Sequence, residues 1–105
     1  MLMTTSDTLP GHEIAETIGI VSANSVRARH VGRDIMAGFK NITGGEVGTY
    51  RDLLTQSRHE ALERLQEAAR DLGADAIVTV RITSAEVMAG MAEILTYGTA
   101  VKLRR

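Results

Sequence analysis

The 105-residue chain has a formal charge of -1, with 44% hydrophobic and 24% charged residues. It therefore fits one domain, residues 1–105, and lies outside the disordered and fibrous ranges. Lys and Arg are scattered apart from Arg27 with Arg29 and Arg104 with Arg105, so the basic face that phosphate neutralisation requires is missing and nucleic acid is not an expected partner. There is no cysteine, which excludes disulfides and thiolate ligands and agrees with a reducing compartment. No apolar stretch approaches a membrane span, and Met1 to Gly11 lacks a signal-peptide pattern, so the expected location is the cytoplasm.

Leu2 to Thr5 reads as a short strand, closed by the turn chemistry of Leu9-Pro10-Gly11. A longer strand spans Thr17 to Arg29, with Ile18, Ile20 and Val26 on one side and Gly19, Val21 and Ala23 on the other. Both sides are largely apolar, which predicts cover on both. Ile35, Met36 and Phe39 recur at helical spacing and predict a short helix over Arg33 to Lys40, broken by Asn41 to Gly45.

The clearest element is a long amphipathic helix from about Val47 to Leu72. Tyr50, Leu54, Ser57, Ala61, Leu65, Ala68 and Leu72 form one stripe, widened by Leu53, Leu62 and Ala69. Glu60 with Arg64, and Glu67 with Arg70, are expected to pair on the wet side. Gly73 follows where a left-handed cap is expected.

The period then changes to two. Ala76, Val78, Val80 and Ile82 alternate with Ile77, Thr79, Arg81 and Thr83 in a strand reaching about Glu86. A glycine-centred turn over Val87 to Ala92 leads to a last strand, Glu93 to Leu103, with Leu95, Tyr97, Val101 and Leu103 on one face. These two strands should form an antiparallel hairpin. The order predicts an α+β fold: a mostly antiparallel sheet, one long helix across one face, and one short helix. With only Phe39, Tyr50 and Tyr97 as aromatics, the core is thin, and one helix covers only one side of the sheet. The leftover apolar residues, with Met88 and Met91 in the turn, predict burial against another copy of the chain.

Several segments carry a recognisable pattern in order and spacing: Thr4-Thr5, then Leu9-Pro10-Gly11 with Ile14, and Gly19-Ile20-Val21. Gly44-Gly45-Glu46 comes next with Tyr50, Arg58 and Ala61, then Gly73-Ala74-Asp75-Ala76, and finally Tyr97-Gly98-Thr99-Ala100-Val101. Together they span nearly the whole chain, which resembles the YbjQ (UPF0145) family. The resemblance implies a dodecin-like subunit assembled into a ring-like homo-oligomer, a pentamer, and it brings a heavy-metal-binding label.

Candidate chemistry is sparse. His12, His30 and His59 are far apart, with no two at helix-ligand spacing, and soft metals favour the thiolates this chain lacks. No metal ligand set or cofactor is assigned on sequence. Gly44-Gly45 before a helix offers backbone N–H groups to an anion, or simply ends one helix and admits the next. Glu46, Tyr50 and Arg58 fall near one helical face; they could line a ligand pocket at a subunit boundary or form an intersubunit salt bridge with a hydroxyl partner. Gly98 inside a strand marks a bulge or close packing by a neighbour. No nucleophile with an orienting base and no phosphate or dinucleotide fingerprint is present. The reading is a non-enzymatic, self-associating module for a small ligand or protein partner, with metal binding through His and carboxylates as the alternative.

Overall fold

The computed structural model describes residues 1–28, 47–88 and 91–105, with side chains for 1–26, 51–86 and 91–105. The expected short helix over Arg33 to Lys40 lies outside the described residues, as does its break at Asn41 to Gly45. Four strands, β1 (Leu2–Met3), β2 (Ile14–Ala28), β3 (Ala76–Met88) and β4 (Met91–Leu103), form one sheet, and helix α1 (Val47–Asp71) packs on one face. The strand order is β1-β3-β4-β2.

The sheet is mixed, which corrects the antiparallel expectation at one edge. β2 and β3 both pair antiparallel with β4, but β1 runs parallel to β3, with Leu2 beside Ala76 and Met3 beside Ile77. The cause lies in the segment Thr4 to Ser6, just past β1. The Thr4 N–H donates to Ile77 O, Val80 N–H to Thr4 O and Thr79 N–H to Ser6 O, so the chain continues along the β3 edge before leaving it. Leu9 then opens a turn in which His12 N–H donates to Leu9 O, with Pro10 second and Gly11 at φ +85° third, the requirements of a type II turn. Leu9 is buried there against Ala76, Val78 and Val101, with Ile14 and Leu103 beside them. The N-terminal segment thus caps one end of the sheet face away from α1.

Two bulges change which side chains share a face. Between Val78 and Arg81 the β3 register gains one residue over β4, and Thr79 there has φ +55°. An extra residue reverses the alternation beyond it. Val78 and Val80 were expected together; instead Ile77 and Val80 join the helix-side cluster while Val78 packs on the opposite face. The second shift, between Thr17 and Gly19 with Gly19 at φ +147°, has the same effect on β2. Ile18 packs against the cluster of Val21 rather than sharing a side with Ile20, which is 84% exposed.

α1 lies mainly across β2 and β4. Its buried residues among those with described side chains are Leu53, Ser57, Ala61, Leu65 and Ala69, so the seam keeps Ser57, Ala61 and Leu65 of the expected line, while Leu53 and Ala69, expected at its margin, are buried in place of Leu54 and Ala68. Leu72, assigned to the stripe, is 51% exposed, because the helix ends there. Gly73 N–H donates to Arg70 O and Ala74 N–H to Ala69 O, with Gly73 at φ +82°. These two bonds are a complete Schellman cap, and they require a left-handed residue at Gly73. The Glu60–Arg64 pair forms at 2.6 Å, and Arg64 also reaches Asn24 O on β2. Arg70 donates to Gln66 Oε1 rather than to Glu67.

Gly98 faces the helix side of β4, opposite Val21 on β2. A Cβ built there would lie 2.8 Å from Ile77 Cγ2 and 3.0 Å from Val78 O. The bulge carries β3 this close, and glycine lets it approach.

Candidate functional site

Of the three residues singled out for a ligand pocket, the described structure includes the side chain of Arg58 alone. Glu46 lies outside the described residues. Tyr50 sits in the first turn of α1, with its side chain outside them. Arg58 is exposed two turns on and donates to Thr55 Oγ1 at 3.3 Å. Along α1, Tyr50 and Arg58 stand eight residues apart, about 12 Å along the axis.

His12 lies in the N-terminal turn region and His59 on the outer face of α1, both exposed; His30 lies outside the described residues. No three His, Asp or Glu side chains among the described residues come close enough to hold a metal ion. With no thiolate anywhere in the sequence, the described donor set does not fit a soft heavy metal.

Two other features stand out among the described residues. The first is the sheet face away from α1. Beyond the end capped by Leu9 it exposes Ile20 (84%), Val26, Leu95 and Tyr97. Register places Ser22 beside Tyr97 and Asn24 beside Leu95, so Leu95 and Tyr97 succeed one another along this face of β4, with Ile20 and Val26 on the neighbouring strand. The sequence indicated this face through the common alignment of Leu95 and Tyr97 on the last strand and of Ile20 and Val26 on the long early one; of the residues grouped there, the bulge turns only Ile18 to the helix side.

The second is a shallow cleft of about 290 Å³ at the C-terminal end of α1, lined by Glu16, Gly73, Asp75, Lys102 and Arg105 among others. Asp75 organises it. Its Oδ2 accepts the Leu103 N–H at 2.9 Å, its Oδ1 accepts Arg105 at 2.9 Å, and its own N–H donates to Val101 O. The Leu103 N–H bond is the main cause holding its carboxyl below the usual carboxylate range, partly opposed by burial and aided by the Arg105 hydrogen bond and charge and by Lys102. Sequence reasoning passed over Asp75 as chemistry, although Gly73-Ala74-Asp75-Ala76 belongs to the family-like pattern. Its bonds show why an Asp suits this place: it ties the start of β3 to the end of β4.

The model of the YbjQ family, described as "Putative heavy-metal-binding", matches residues 1–104. A UPF0145 protein of Archaeoglobus fulgidus is 54% identical over 99% of this chain and 96% of its own length. One from Psychromonas ingrahamii is 49% identical over the full length of both. Among solved structures, a Pediococcus pentosaceus protein of unknown function from the DUF74 family superposes with a TM-score of 0.71, covering 99% of this chain and 98% of that one. At 20% identity that likeness shows the α+β fold alone. Full-length agreement with the family model and with relatives at about half identity leaves one assignment: the chain belongs to the YbjQ (UPF0145) family.

Proposed function

We propose that this protein is a cytoplasmic, self-assembling binding module, non-enzymatic in character, that holds a small ligand or a protein partner where its copies meet. The observation that carries this reading is the open sheet face. Ile20, Val26, Leu95 and Tyr97 lie on two neighbouring strands and face solvent in the single chain, and grouped apolar exposure of this kind marks an interaction surface. A two-layer subunit with one open apolar face gains burial by association. A dodecin-like ring of five is the assembly the family resemblance suggests, and the Glu46, Tyr50 and Arg58 group is the proposed ligand-contacting set at its subunit boundaries.

Sedimentation equilibrium at micromolar concentration tests this. The expected species has several times the 11.3 kDa chain mass, and Ile20→Asp combined with Leu95→Asp shifts it to monomer. A wild-type monomer under those conditions refutes the reading.

The metal alternative is favoured by the family description. Its test is calorimetric titration with zinc, copper and nickel; no heat below the millimolar range removes it.

A further inference from the structure

The helix-to-sheet seam contains a polar stretch that the functional reading does not use. Ser25 on β2 and Ser57 on α1 are both fully buried, and neither hydroxyl has a hydrogen-bond partner. Ser57 does not use the carbonyl one turn back, the usual acceptor for a helical serine.

Extending the packing register of the seam by one step points to the two meeting. Leu65 and Val21 share one cluster. One helical turn earlier, the Thr96 hydroxyl lies 3.2 Å from Ala61 O and 3.1 Å from Ala23 O, its single proton shared between helix and β2. Each step of four residues back along α1 advances about 6 Å, and each step of two residues forward along β2 advances about 6.6 Å. The next step pairs Ser57 with Ser25, flanked by Ile94, which sits beside Ser25 in the ladder.

Buried hydroxyls are nearly always satisfied, and buried polar groups without protein partners are where internal water is held. We propose that Ser25 and Ser57 form an internal water site, one ordered water bridging the two hydroxyls and extending the polar link that Thr96 begins between α1 and the sheet. The ligand is water because the groups offered are neutral hydroxyls, the place is sealed from solvent, and no charged group in the described seam would hold an ion.

A crystal structure at about 1.8 Å, with thermal melts of Ser25→Ala, Ser57→Ala and the double variant at fixed chain concentration, tests this. The expected results are a solvent peak within hydrogen-bond distance of both Oγ atoms, lost in the double variant. Each single change should lower Tm by a few degrees, roughly 4 °C for the loss of about one net hydrogen bond, with the double variant no worse than the larger single. Two results overturn the proposal: density placing the two Oγ atoms in direct hydrogen bond with no solvent peak, or no peak together with single substitutions that are neutral, stabilising or additive. Alanine at these positions keeps the helix and strand intact, so folding does not obscure the outcome.

Discussion

Replacing Gly98 by alanine sets two effects of opposite sign against each other. In a strand interior, alanine is favoured over glycine by about 0.5 to 1 kcal/mol, since glycine loses more backbone freedom on folding. Against this, the added Cβ would lie 2.8 Å from Ile77 Cγ2, 3.0 Å from Val78 O and 3.3 Å from Val80 Cγ2. Ile77 is fully buried and Val80 is 6% exposed, so neither side chain can swing away, and the Val78 carbonyl belongs to the bulged backbone. Forcing a methyl into such a place costs about 1 to 3 kcal/mol. The difference is a net loss of about 0 to 2.5 kcal/mol, and with two of the three contacts at or below 3.0 Å the clash wins by about 1 kcal/mol, a fall in Tm of roughly 4 to 8 °C for a domain of this size. Thermal denaturation followed by circular dichroism, at matched chain concentration, reads the difference. Adding Ile77→Ala to Gly98→Ala removes the closest collision, so the pair should cost clearly less than the sum of the two single changes. A Gly98→Ala variant that melts within a degree of wild type, or above it, would show that β3 does not need this close approach.

Three further outcomes are expected from the packing and the electrostatics. Thr79→Asn should raise Tm by a few degrees, because a β-branched residue at φ +55° is strained by about 1 to 2 kcal/mol and asparagine tolerates that conformation better; a fall would mean the Thr79 side chain matters more than its backbone. Leu65→Ala should cost about 2 to 5 kcal/mol by chemical denaturation, whereas Leu72→Ala, at a half-exposed position past the seam, should cost under about 1 kcal/mol; equal losses would contradict a buried seam that ends before Leu72. Asp75 has a lowered folded-state pKa, so its ionised form stabilises the fold above the ordinary carboxylate range, and that contribution is lost as pH falls through the folded value. The Tm gap between wild type and Asp75→Asn should therefore be full at neutral pH and shrink on acidification below about pH 4; a gap that widens in acid would reverse the assignment.

The long helix, the β3–β4 hairpin and the glycine cap at Gly73 were legible in the sequence because each is dictated by residues close together in the chain. Apolar spacing marks α1, a period of two marks the hairpin, and Gly73 stands where only a left-handed residue closes the Schellman bonds. The features that were not legible depend on distant backbone. The bulge at Thr79 is held by Ser6 O and Thr4 O from the other end of the chain, and nothing within the run from Ala76 to Thr83 announces it. The reversal of Val78 and Val80 results from that bulge. The parallel seat of Leu2–Met3 has the same origin, since two residues carry no periodicity of their own. At the candidate site the sequence supplied a spacing for Tyr50 and Arg58, which the helix honours, but not Asp75, whose role appears only when the Leu103 N–H and Arg105 converge on it.

The position of β4 bears on how the protein is made. β4 is flanked on both sides, by β3 and by β2, yet it is the last of the four described strands to be synthesised, and Thr17 must wait for Val101 while α1 and the intervening chain are already made. Until residues 91–103 emerge, β2 lacks the one strand it pairs with among the described residues, and that edge of its backbone is open to nascent chains nearby. Translation pauses or truncations just before Met91 are therefore the points at which this polypeptide is most exposed to clumping and most dependent on chaperones.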